Sequence, residues 1–142
     1  MAIEIRLVGP ADSALFDRVG VDVFDGPVDQ PLTAEFLADP RHHLAVAIDD
    51  GVLVGMASAV HYVHPDKMPQ LWINEVGVAS THRSQGIGRR LLECLIERAA
   101  ALDCSEAWVL TDRGNTAAQR LYESVGGMIP PEDCIMYTIP VA

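Results

Sequence analysis

Ile3, Ile5 and Leu7 alternate with charged neighbours at the start of the chain, and this period of two predicts a strand over residues 3–8. Gly9-Pro10 interrupts it. Leu15, Val19 and Val23 then recur at helical spacing, which predicts a helix running to about Phe24, where Asp25-Gly26-Pro27 stops it. A short second helix is expected over 33–38, ahead of Pro40. Residues 44–48 and 52–63 are apolar runs joined by Asp49-Asp50-Gly51, the residue types of a hairpin turn. His64-Pro65-Asp66 makes a loop, and 72–78 reads as a further strand.

From about Gln85 the period becomes helical. Ile87, Leu91, Leu95 and Ala99 form one apolar stripe that Leu92 and Ile96 widen. A short strand is expected at 107–110, then a helix over 116–125 that Gly126-Gly127 ends, then a closing strand over 135–139. The predicted order is β-α-α-β-β-β-α-β-α-β, with no repeat, low-complexity tract or linker. That order implies one α/β domain over 1–142, built on a mixed, mostly antiparallel sheet flanked by helices.

Composition narrows the classes. A chain of 142 residues, 49% apolar and 21% charged, suits a globular domain and excludes disordered, collagen-like and disulfide-stapled chains. The longest apolar stretch, 52–60, is too short to span a bilayer, and the first residues lack the apolar core of a secretion signal. Three cysteines, Cys94, Cys104 and Cys134, with no C-x-x-C pair fit free thiols in a reducing cytoplasm.

A net charge of −10 argues against a nucleic-acid partner. The charge is also lopsided: residues 1–75 hold twelve acids against four bases, and 76–142 hold eight against six. Arg83, Arg89, Arg90 and Arg98 fall close together. This is either a solvated acidic surface, or an acidic front half that receives a cation beside a basic patch that receives an anion.

Residues 72–90, WINEVGVASTHRSQGIGRR, carry the chemistry. A strand ends at Val78, a short loop follows, and Arg-x-x-Gly-x-Gly (Arg83, Gly86, Gly88) opens the amphipathic helix. A helix N-terminus offers unpaired N–H groups and partial positive charge, and glycines let the backbone approach phosphate oxygens. The pattern is neither a Walker loop nor G-x-G-x-x-G. The histidines offer no metal spacing, since His61, His64 and His82 are scattered and His42-His43 are expected in a loop. No Ser-His-Asp or Cys-His arrangement is apparent.

Val78 followed by Arg83-Ser84-Gln85-Gly86-Ile87-Gly88 resembles the signature of the GNAT superfamily of acetyl-CoA-dependent N-acetyltransferases. Asn115, Ala118, Leu121 and Tyr122, with Gly126 after them, match its second motif, and the likeness covers about residues 45–139. The resemblance implies acetyl-CoA as co-substrate and no metal. Val76, Gly77 and Val78 would lie along the pantetheine arm, and Ser84, Gln85, Gly86, Ile87, Gly88 and Arg89 would cradle the pyrophosphate, with Arg83 and Asn115 assisting. Family analogy puts a strand N–H near Val76 at the oxyanion and the Tyr122 hydroxyl at the departing thiolate. An ammonium cannot attack, so a base is also needed. Glu75, either a surface or edge-strand carboxylate or a functional charge in a strand expected to be central, is the preferred base. Asp112 is read as a substrate carboxylate, although it could equally be a loop residue before the helix at Asn115.

The strand Trp72-Ile73-Asn74-Glu75-Val76-Gly77-Val78 is similar to that of the aminoglycoside 3-N-acetyltransferases. That likeness implies a polycationic antibiotic as acceptor, held by acids such as Asp25, Asp29, Glu75 and Asp112, and an antibiotic-resistance activity. The alternatives are a polyamine or peptide amine as acceptor, or a non-catalytic acyl-CoA-binding module. The free thiols point to the cytoplasm, the charge and the short apolar runs to neither a nucleic-acid nor a membrane partner, and a homodimer is the family expectation.

Overall fold

The computed structural model describes residues 2–142. Among them five strands lie side by side in chain order: β1 (Glu4–Leu7), β2 (His42–Asp49), β3 (Val52–Tyr62), β4 (Gln70–Val78) and β5 (Glu106–Val109). β1 to β4 pair antiparallel. β5 runs parallel to β4, because the chain must cross over through α2 (Ile87–Ala101) to reach it. Between β2 and β3, Asp50 (φ 49°) and Gly51 (φ 76°) both take left-handed conformations, the turn that matches strand twist and that the Asp-Gly pair signals.

The core lies between the sheet and α2. Opposed pairs Ala45–Ala57 and Ala47–Gly55 make a flat strip on one face. α2 sits so close that a Cβ on Gly55 would meet Ile87, Leu91 and Ala47 at 3.1–3.3 Å. Ile87, Leu91, Leu92, Leu95 and Ala99 are buried there, which is the stripe read from the sequence. Leu44, Met56 and Ser58 point to the opposite face, toward α1 (Gln30–Ala38) and a 3-10 helix over Pro10–Asp17.

Several expectations need correction. The first helix does not run to Phe24, because the chain is drawn onto the start of β3. Leu53 donates its N–H to the Arg18 carbonyl, Gly20 donates to that of Leu53, and Val19 bridges to Leu53. Val23 is buried all the same, so helical spacing identified inward residues that a non-helical path delivers. α1 begins at Gln30 because Asp29 caps it, its Oδ2 accepting the Leu32 N–H at 2.9 Å, and Pro31 is harmless in a first turn. His42 and His43 open β2 instead of a loop, paired with Val60 and Ala59. The strand expected over 135–139 is absent: residues 128–142 hold no helix or strand and are exposed throughout, and among the described residues β5 pairs only with β4.

Candidate active site

β4 changes character half-way along. Gln70–Ile73 pair with Glu106–Val109, after which β5's chain turns away toward α3 (Thr116–Ser124). Residues 74–78 therefore have β3 on one side and an open backbone edge on the other. A bulge falls at the same place: Ile73 opposes Ala59, Glu75 opposes Ser58, and Asn74 opposes nothing. Without it Ile73 and Glu75 would share a face. With it, Ile73 enters the core under α2 while Glu75 emerges on the α1 face.

That face holds a cavity of about 440 Å³. Its wall is largely apolar, with Phe16, Phe24, Leu32, Phe36, Leu44 and Met56, and its polar groups include Asp29, Thr33, Ser58 and Glu75. Of the four predicted acceptor carboxylates, the cavity gathers Asp29 and Glu75. Asp25 is exposed in the loop after Phe24, and Asp112 is exposed before α3, so neither lines the cavity. Glu75 is exposed as well, so its charge is no buried anomaly; β4 is central only up to Ile73. Sequence reasoning missed Ser58 and the aromatic wall. The period-two spacing of Met56 and Ser58 on β3 could have found those two, whereas Phe16, Phe24 and Phe36 are brought together only by the irregular first segment.

Gly77 is glycine for a local reason: a Cβ there would overlap the Val23 carbonyl. Val76 and Val78 pack against the core on the α2 side. The loop then leaves through buried Ala79 and a 3-10 turn, Ser80–His82. Both ring nitrogens of His82 are engaged, Nε2 with Asp49 Oδ2 and Nδ1 with Thr81 Oγ1, each at 2.7 Å. These bonds tie the loop to the end of β2.

Beyond His82, Ser84 (φ 62°) and Gly86 (φ 75°) are both left-handed and turn the backbone onto α2. No side chain caps the helix, and the first bond back to Gly86 comes from the Arg90 N–H at 3.2 Å. The N–H groups of Ile87, Gly88 and Arg89 precede it and have no acceptor within the helix. A Cβ on Gly86 would meet nothing within 4 Å, so the space beyond this helix end is open. The Ile87 side chain lies in the core and leaves only its backbone at the loop. Gly88 is small to admit Leu121 of α3, whose Cδ atoms lie 3.3–3.4 Å from where its Cβ would be.

Arg89 is paired with Glu93 at 2.8 Å, Arg90 reaches the Ile3 carbonyl, and Arg83 makes only a 3.4 Å bond to the Val78 carbonyl. Ser84 and Gln85 are exposed. Asn115 caps α3, its Oδ1 accepting the Ala118 N–H at 3.0 Å. Tyr122, half-buried on α3, packs against the core, and burial pushes its phenol above the ordinary range. This arrangement offers an anion cradle at a helix end, a strand edge able to bind amides, a carboxylate facing a cavity, and a protonated phenol.

Residues 15–127 match the Acetyltransferase (GNAT) family. N-alpha-acetyltransferase 40 of Saccharomyces cerevisiae is 40% identical over 73 residues, covering 45% of this chain and 25% of that protein. L-2,4-diaminobutyric acid acetyltransferase of Shouchella clausii is 32% identical over 80 residues, covering 56% of this chain and 44% of that protein. The matches thus span less than half the length of these relatives. The crystal structure of an aminoglycoside acetyltransferase from an uncultured soil metagenomic sample superposes with a TM-score of 0.82 at 22% identity, covering 100% of both chains, and so has the same fold. With the family match extending from the first 3-10 helix to the end of α3, the chain belongs to the GNAT family of acetyltransferases.

Proposed function

We propose that the chain transfers the acetyl group of acetyl-CoA to a primary amine of a cationic small molecule, with an aminoglycoside as the acceptor. The observation that carries this is the bulge at Asn74. It turns Glu75 into the cavity at the point where β5 departs and the next residues of β4 become an open edge that leads to the uncapped end of α2.

Acetyl-CoA fits the residues present, and when bound it supplies the activated thioester. The N–H groups of Ile87, Gly88 and Arg89 bind the pyrophosphate, the left-handed turns at Ser84 and Gly86 aim them, and Arg83 and Arg89 add charge. The open edge at Val76, Gly77 and Val78 bonds the amides of the pantetheine arm, and an N–H near Val76 faces the carbonyl oxygen. Glu75 takes a proton from the ammonium so that the neutral amine can attack, and Tyr122 gives one to the departing thiolate. Asn115 supports the coenzyme side through α3, which it caps.

The acceptor class is supported by the acid excess of residues 1–75 and by the likeness to an aminoglycoside acetyltransferase. Asp29 and Glu75 hold the amine, with Asp25 and Asp112 reaching the outer rings of a large acceptor; the 3-N position rests on the strand resemblance alone. A second reading, a peptide or amino-acid amine, is favoured by the apolar cavity wall and by the two acetyltransferases matched in sequence. Thiol release from acetyl-CoA with aminoglycosides, polyamines and peptides as acceptors tests the proposal. Aminoglycosides should turn over with the highest kcat/KM. Turnover with a peptide or polyamine alone overturns the acceptor, and none with any amine, alongside coenzyme binding, would make the chain a binding module.

A further inference from the structure

The loop between β4 and α2 is anchored firmly at its start and loosely at its end. Ala79 donates its N–H to the Val54 carbonyl at 2.8 Å, Ser80 donates to that of Val21, and His82 donates back to Ala79. After that the ties stop. Among the described residues, the only hydrogen bond made by Arg83, Ser84 or Gln85 is the 3.4 Å contact from Arg83 to the Val78 carbonyl. Yet this stretch holds Ser84 left-handed, which a side chain disfavours, and so aims the N–H groups at the end of α2. The last firm anchor before it is the His82 side chain. Its Nε2 lies 2.7 Å from Asp49 Oδ2, where β2 ends, and its Nδ1 lies 2.7 Å from Thr81 Oγ1. A carboxylate only accepts, so Nε2 donates to Asp49, and a neutral ring accepts the Thr81 hydroxyl at Nδ1. The ring is thus held at both ends. With both nitrogens used within the protein and the side chain only 19% exposed, the imidazole has none left for a ligand.

We propose that His82 is a positioning residue for the coenzyme: tied to Asp49, it orders residues 83–86 in advance, so that the free protein already presents the N–H groups of Ile87, Gly88 and Arg89. This rests on the reading of that loop as the pyrophosphate cradle. Without the tie, binding must itself order the loop, and affinity falls. Once the coenzyme is bound the loop is ordered either way, so the chemical step is untouched.

Calorimetry with acetyl-CoA, and initial rates with the amine that turns over best, test this on the full chain. His82→Leu and Asp49→Ala should each raise the acetyl-CoA Kd and KM about five- to tenfold, with kcat and the acceptor KM nearly unchanged. The double variant should bind no more weakly than either single one, since a single tie is lost in all three. His82→Gln, whose amide can still donate to Asp49, should recover most of the affinity. A Kd within twofold of wild type in both single variants, additive losses in the double variant, or a fall in kcat in place of the rise in Kd overturns the positioning role. Hydrogen exchange separates this from the cradle itself: acetyl-CoA should slow the amides of 84–89 in the wild type. If it does not, the cradle reading fails and the positioning role falls with it.

Discussion

Glu75 owes its direction to Asn74, the residue with no opposite number across the strand pair, and this separates its role from that of Tyr122. In the proposed reaction a carboxylate facing the cavity would act on the amine, whereas a half-buried phenol held protonated by desolvation would act on the leaving group. The two substitutions should therefore have different pH signatures. Glu75→Gln should cut kcat most at neutral pH and recover part of it at alkaline pH, where more amine is already neutral. Tyr122→Phe should lower kcat by about 10²–10⁴-fold at every pH, the usual worth of a general acid, with the coenzyme Kd nearly unchanged. Steady-state profiles between pH 6 and 10, with calorimetry for the coenzyme, check both. Less than a threefold loss in Tyr122→Phe would reduce that residue to packing.

At the scale of elements, β2 and β3 carry a second titratable pair that plays no part in the proposed chemistry. His43 is buried, its Nε2 lies 2.7 Å from Nδ1 of His61, and Arg98 and His42 add positive charge nearby. Desolvation and those charges pull the His43 pKa from 6.5 down to about 4. The folded state thus resists a proton that the unfolded chain accepts, so the contribution is full above 6.5 and is lost as pH falls toward 4. The Tm should fall across that window, and His43→Leu, which cannot take the proton, should flatten the decline; thermal melts at half-unit pH steps measure it. Asp12 and Asp39, whose carboxyls are lowered by partners, lose their contribution only in more acidic solution, below 3.8.

These elements show where sequence patterns inform and where they do not. The stripe on α2, the Asp-Gly hairpin and the Arg83–Gly88 loop are local, so period, turn chemistry and spacing expose them directly. The path after the 3-10 segment is held by Leu53, far along the chain, which bonds to Arg18 and Gly20 and which the spacing of Leu15, Val19 and Val23 cannot register. The Asn74 bulge is likewise invisible to alternation. It decides which face Glu75 occupies, so Glu75 was legible as a candidate but its cavity was not. The pattern of 135–139 alternates as a strand does, yet these residues form none, because alternation registers a face and not a pairing partner.

Across the whole molecule, acids dominate the segment that builds the cavity side, while six of the ten basic residues fall after residue 75, among them Arg83 and Arg89 at the loop. The two proposed substrates carry opposite charge, so they should respond differently to ionic strength. A cationic acceptor approaches an acidic field with a range of one Debye length, about 10 Å at 0.1 M salt and 3 Å at 1 M. Its KM should therefore rise several-fold between those concentrations. In the proposed binding mode acetyl-CoA would be held mainly by backbone N–H groups at close contact and would face a net-repulsive molecule from a distance, so salt weakens the attraction and the repulsion together and its KM should move less. Asp29→Asn removes one charge at the cavity mouth but keeps an oxygen that can still cap α1. It should raise the acceptor KM two- to fivefold with kcat nearly unchanged, and should flatten the salt dependence of the acceptor alone. Initial rates with each substrate varied at two salt concentrations decide it: an acceptor KM indifferent to salt in both wild type and Asp29→Asn would mean that the apolar wall, and not the acidic field, selects the acceptor.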